Sequence, residues 1–91
     1  MFIGRYLEAW SQLSKEEQSS LEAKLNEALE KVGGKRPILC DSSWSSDQWS
    51  FCGIEEFPNI EAVQKYTVTL KELNWSRYCE SMNVLGTKLE S

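Results

Sequence analysis

The chain has no histidine. That removes the side chain that most often acts as a general base near neutral pH and the commonest metal and haem ligand. Cysteine is scarce: Cys40, Cys52 and Cys79 are an odd number, and none forms a C-x-x-C pair. No zinc-ligand spacing is therefore present. The three thiols read as small buried hydrophobes, with a reactive thiol as the alternative. No apolar run approaches the roughly 20 residues needed to cross a bilayer. The N-terminal "MFIGRYLEAW" lacks a basic segment followed by an apolar one. No signal peptide is expected, and the expected compartment is the cytoplasm. Basic clusters are also missing. Lys and Arg number 10 against 14 Asp and Glu, and the densest basic stretch is the pair Lys35–Arg36. A net charge of -4 argues against a nucleic-acid partner, which needs clustered cations.

What is present is aromatic surface. Trp10, Trp44, Trp49 and Trp75 are many indoles for 91 residues, and each ring buries roughly 150 to 250 Å². A chain of this length makes one domain, expected to span residues 1–91. Such a domain buries only about 60 to 65% of its unfolded surface. Oligomerisation is a common way to bury more.

Local patterns predict the elements. "FIGRYLE" at 2–8 reads as a strand, rich in aromatic and β-branched residues, with "AWSQL" as a connector. "SKEE" at 14–17 is a capping box. Leu21, Leu25, Ala28, Leu29 and Val32 then share one helical face. Gly33-Gly34 supplies the left-handed stop. Pro37 excludes helix and leaves "RPILCDSSW" at 36–44 extended; "SSD" at 45–47 is a turn, because its side chains bond their own backbone, and "QWSFCGIEEF" at 48–57 is the returning strand of a hairpin. Gly53 within it suggests a bulge or a close backbone approach. Asn59 caps a second helix whose apolar residues are Ile60, Val63, Tyr66, Leu70 and Leu73. Asn74 is its αL stop, residues 77–85 form the last strand, and 86–91 read as a solvated tail.

The order β-α-β-β-α-β predicts an α+β, ferredoxin-like fold: a four-stranded antiparallel sheet with two helices on one face. Large apolar residues occur in both alternating sets of most strands, mixed with single polar groups. A sheet with one wet face shows a cleaner alternation. The second face is thus expected to be covered by a second copy, sheet to sheet, in a two-fold homodimer.

In this order and pattern the chain resembles the dimeric α+β barrel superfamily. "FPNIEAVQKY" is similar to the start of the second helix in many members, and "RYCESMNVLG" resembles the closing strand of short ones. The resemblance implies two ferredoxin-like subunits enclosing a barrel-like cavity. It implies no haem, because the Asn-Trp-His constellation of the haem-degrading members lacks its histidine here. The catalytic histidines of related isomerases and cyclases are missing as well. No cofactor and no metal are expected.

A cavity with mostly apolar walls and a few polar groups suits a small apolar or aromatic ligand. Glu80, Tyr78 and Tyr6 are the candidate catalytic residues, and Glu8, Trp44, Trp49 and Met82 the candidate ligand-binding ones. A glutamate walled by aromatic rings has its charged form desolvated, which raises its pKa toward general acid–base use. A tyrosine hydroxyl can donate to a developing oxyanion. That chemistry fits a cofactor-independent isomerase, cyclase or monooxygenase acting on a small aromatic or carbonyl compound. The plainer reading pairs Glu80 with Arg5 or Arg77 and leaves the aromatic rings as core and interface. The protein is then a non-catalytic binding or assembly module.

Overall fold

The computed structural model describes residues 1–89. Its elements are β1 (Phe2–Tyr6), α1 (Glu8–Ser11), α2 (Lys15–Lys31), β2 (Lys35–Asp41), β3 (Phe51–Glu56), α3 (Ile60–Glu72), a 3-10 turn (Trp75–Arg77) and β4 (Cys79–Asn83). Of the expected tail, residues 90 and 91 lie outside the described residues.

The helix boundaries follow the local chemistry. The Ser14 side chain accepts from the Glu17 amide at 3.1 Å, and the Ser14 amide donates to Glu17 Oε1 at 3.0 Å. Both halves of the capping box are thus made. After α2, the Gly34 amide donates to the Leu29 carbonyl at 2.9 Å while Gly33 takes φ +78°. A side chain there meets backbone strain, so glycine ends the helix. Asn59 accepts from the Ala62 amide at 2.8 Å and starts α3. Asn74 ends it at φ 56°.

The four strands form an antiparallel sheet in the order β2-β3-β1-β4. This order is consistent with a ferredoxin-like type of fold. The helices depart from a strict two-helix version. "AWSQL" is not a plain connector, because residues 8–11 make the short helix α1, and a 3-10 turn precedes β4. No side chain caps α1. It holds because Trp10 is buried against Tyr6 and Trp75.

The strands are shorter than the sequence pattern implies. Glu8 lies in α1 rather than β1, and Tyr78 caps the 3-10 turn rather than opening β4. Trp44 and Trp49 lie in the connection between β2 and β3. That connection is wide because serine and aspartate side chains hold its backbone. Asp41 accepts from the Ser43 amide, and Ser46 Oγ accepts from the amides of Gln48 and Trp49.

Register fixes the two faces. Gly4 opposes Phe51 on one side and Ser81 on the other, and Phe2 opposes Gly53. Phe2, Gly4, Tyr6, Phe51, Gly53, Glu55 and Cys79 therefore share one face. Helix α3 packs on it, through a Tyr66 hydroxyl that reaches Glu55. Both glycines there are required. A Cβ on Gly4 would sit 2.5 Å from the Phe51 ring, and one on Gly53 would collide with the Ile38 carbonyl and lie 2.6 Å from the Phe2 ring. Gly53 marks a close backbone approach, and the register irregularity lies on β2, between Lys35 and Ile38. Pro37, which has no N–H to give to a ladder, stands within it.

The core between α2 and α3 consists of Ala28, Leu29 and Tyr66, with Val32, Phe57 and Leu70 packed around them. It is thin. Among the described residues no side chain is completely shielded from water. The molecule is a slab whose Cα extents are 41 × 30 × 17 Å, one sheet and one helix layer deep.

Candidate functional site

The candidate residues are divided by the sheet. Arg5 opposes Glu80, and Tyr6 opposes Cys79. Neighbours along a strand point to opposite faces, so Tyr6 and Glu80 lie on opposite sides. Tyr6 joins an aromatic cluster on the helix side. It stacks on Trp10 at 5.0 Å between ring centroids and tilts against Phe51 at 5.0 Å. Trp10 in turn meets Trp75 and Tyr78 edge-on, at 5.6 and 6.3 Å. The structure therefore brings Tyr6 and Tyr78 together, through Trp10. Burial pushes the Tyr6 hydroxyl above its ordinary pKa, helped by the negative charges of Glu22 and Asp41. A raised pKa keeps Tyr6 neutral and leaves it a donor at physiological pH.

Glu80 lies on the opposite face and is not free. Arg5 Nη2 approaches its Oε2 at 2.6 Å and Arg5 Nε donates to the same oxygen at 2.8 Å. Both side chains are about half exposed, so this pair adds little to stability. Met82 shares that face, two residues further along β4. Trp44 stands almost wholly in solvent, at 84% exposure, and Trp49 is half-buried. Glu8 is exposed in the first turn of α1.

The polar centre on the helix side involves residues that the sequence did not single out. Arg36 Nη2 and Nε donate to Glu55 Oε2 at 2.8 and 3.0 Å, and Arg36 Nη1 donates to Asn26 Oδ1 at 2.8 Å. The Tyr66 hydroxyl lies 3.3 Å from both Glu55 Oε2 and Arg36 Nη2. Burial and then the charge of Glu55 push Tyr66 up to about 12, with Arg36 acting the other way. Glu55 is the one charged residue in the set Phe51, Gly53, Glu55, and that is the signal that could have found it. Its shared, charge-assisted bonds make this centre a clamp between β3, β2 and α3.

Two open grooves lie on the helix layer. One, of about 380 Å³, runs along α2 past Leu13, Glu17 and Leu21 to Tyr78. The other, of about 790 Å³, lies between the end of α2 and α3, lined by Val32, Ala62, Lys65 and Val68 among others. Neither includes Glu80 or Met82. Among the described residues no three His, Cys, Asp or Glu side chains converge as metal ligands would. Among the described residues no helix is long and apolar enough to cross a membrane.

The sheet face away from the helices is the most distinctive surface. Its side chains form rows that cross all four strands. Cys40, Cys52, Ile3 and Met82 oppose one another in one continuous row. Ile38 and Ile54 begin the next. Met1 and Val84, which exchange backbone bonds at 2.9 and 3.1 Å, continue it. The third row is polar: Arg5 and Glu80, with the Ser42–Ser50 pair beyond. Ile38 is 46%, Ile54 40%, Met82 59% and Val84 65% exposed. Comparison with known families, curated proteins and solved structures finds no match.

Proposed function

We propose that the protein is a ferredoxin-like subunit of a homodimer of the dimeric α+β barrel kind. Two open sheet faces close on each other, and the dimer works as a non-catalytic binding or assembly module. One observation carries this reading: the apolar row Cys40–Cys52–Ile3–Met82, with the apolar pairs Ile38–Ile54 and Met1–Val84 beside it, lies on the face that no helix covers. With strands about 4.8 Å apart and same-face residues about 6.8 Å apart, three rows span roughly 400 Å² in projection. A stable dimer buries about 800 Å² per partner. The exposed side chains of Trp44, Leu85 and Leu89 offer further apolar area. The Arg5–Glu80 row then forms a polar rim. Burying these rows also compensates for the thin core of the single subunit.

The ion pair at Glu80 favours the module over an acid–base enzyme. A general base needs a free carboxylate within reach of its proton, and Tyr6 is on the other side of the sheet. A small apolar or aromatic ligand fits between the two sheets, against Met82 and Ile54. Native mass spectrometry of freshly purified protein tests both parts. A dimer that carries a retained small molecule supports the reading. A bare monomer at micromolar concentration rejects it.

A further inference from the structure

Beyond the dimer, we infer that Cys40 and Cys52 form a thiol–disulfide site, a reversible cross-strand staple between β2 and β3 that reacts with small disulfide oxidants of the glutathione class. The site rests on one subunit's own register. Cys40 opposes Cys52 directly, on antiparallel strands, with both side chains on the uncovered face. The Ser42 amide donates to the Ser50 carbonyl at 3.0 Å in the same register. Two residues further on, Cys40 and Cys52 are therefore also a hydrogen-bonded pair, and such pairs have Cα atoms about 5.5 Å apart. Disulfides span Cα separations of about 4.4 to 6.8 Å. Their Cβ atoms are about 3.5 to 4.5 Å apart, against about 4.5 to 5.5 Å for opposed strand residues. Closure must draw the strands together slightly. β2 is an edge strand with a single neighbour, so it is free to yield. The resulting bond is strained, and strained disulfides are the readily reduced ones.

The chemistry balances. Cys40, the exposed thiol, attacks one sulfur of the oxidant as its thiolate, forming a mixed disulfide and expelling one thiolate. The Cys52 thiolate then attacks the Cys40 sulfur and expels the second. Two protein thiols lose two protons and two electrons, and one oxidant disulfide becomes two thiols. Cys79 is an internal control. It lies buried on the helix face opposite Tyr6, and burial pushes its thiol up to about 12. It stays reduced and unreactive.

The experiment incubates dilute full-length protein in glutathione buffers of increasing oxidised-to-reduced ratio, then quenches with acid, unfolds, alkylates and maps peptides by mass spectrometry. The expected product has lost two hydrogens, takes up one alkyl group instead of three, and yields a linked peptide containing Cys40 and Cys52. Reduced glutathione restores all three alkylations. Cys40→Ser and Cys52→Ser each abolish the linked peptide. Glutathione adducts on separate cysteines or a link between two chains overturns the assignment. The Cys40–Cys52 row belongs to the proposed dimer face, so the map is made on the wild type and on the monomeric Ile54→Lys chain; the linked peptide is expected in the monomer, and three free thiols there at every ratio overturn the assignment.

Discussion

At the scale of single residues, the Arg36–Glu55–Tyr66 clamp is where polarity and burial meet. Arg36 and Glu55 are each less than one-fifth exposed. Replacing Glu55 by Gln leaves a partly desolvated guanidinium without its counter-charge. Removing one partner of a charged hydrogen bond costs about 1 to 3 kcal/mol. Glu55→Gln is therefore expected to lower stability by that amount in urea unfolding. Without the Glu55 charge, Tyr66 should also titrate at a lower pH in an ultraviolet titration. Alkaline pH tests the same residue. Tyr66 rises from 10.0 to about 12 and Cys79 from 9.0 to about 12 in the fold, both chiefly through burial. Each folded pKa lies above its unfolded value, so the stability contribution is complete below the unfolded pKa. It is lost as pH rises toward the folded one. Stability is expected to hold up to about pH 9 and to fall between about pH 9 and 12. Tyr66→Phe should make the fall above pH 10 shallower; an unchanged slope contradicts the assignment.

At the scale of elements, the helix ends were legible because their chemistry is local. The Ser14 box, the Gly33 turn, the Asn59 cap and the Asn74 stop are each made by groups within a few residues. Asn59→Ala should cost about 1 kcal/mol, measured as a lowered urea midpoint with unchanged slope; no change means that the cap is dispensable. Helix α1 was not legible, since no side chain caps it and its stability comes from Trp10 packed on residues distant in sequence. The β2–β3 connection was read too short, because serine and aspartate bonds hold Trp44 and Trp49 outside the ladder. The candidate site was read least well. Alternation within a strand shows which residues share a face, but only the register between strands shows which sets coincide. Tyr6 and Glu80 were grouped together, and pairing Arg5 with Glu80 put them on opposite faces. Tyr66 was read only as part of the second helix's apolar face, and no local pattern shows that Arg36 and Glu55 meet its hydroxyl.

At the scale of the whole molecule, the decisive contrast is between the two faces of one sheet. The helix face carries the glycines, Phe51 and Cys79 under a helix layer. The other presents isoleucine, methionine and valine to water. Apolar area removed from water stabilises by about 25 cal/mol per Å², so leaving these rows uncovered forgoes a gain comparable to a small domain's whole stability margin. A second copy is the partner that presents the same rows in return. Ile54→Lys puts a charge in the middle of that surface, leaves the helix-side core untouched, and is expected to give a folded monomer. The most direct measurement is sedimentation equilibrium of wild-type protein from about 1 to 100 µM. The account predicts twice the 10.5 kDa chain mass for the wild type and the single-chain mass for Ile54→Lys. A wild-type chain that sediments at 10.5 kDa throughout that range contradicts it.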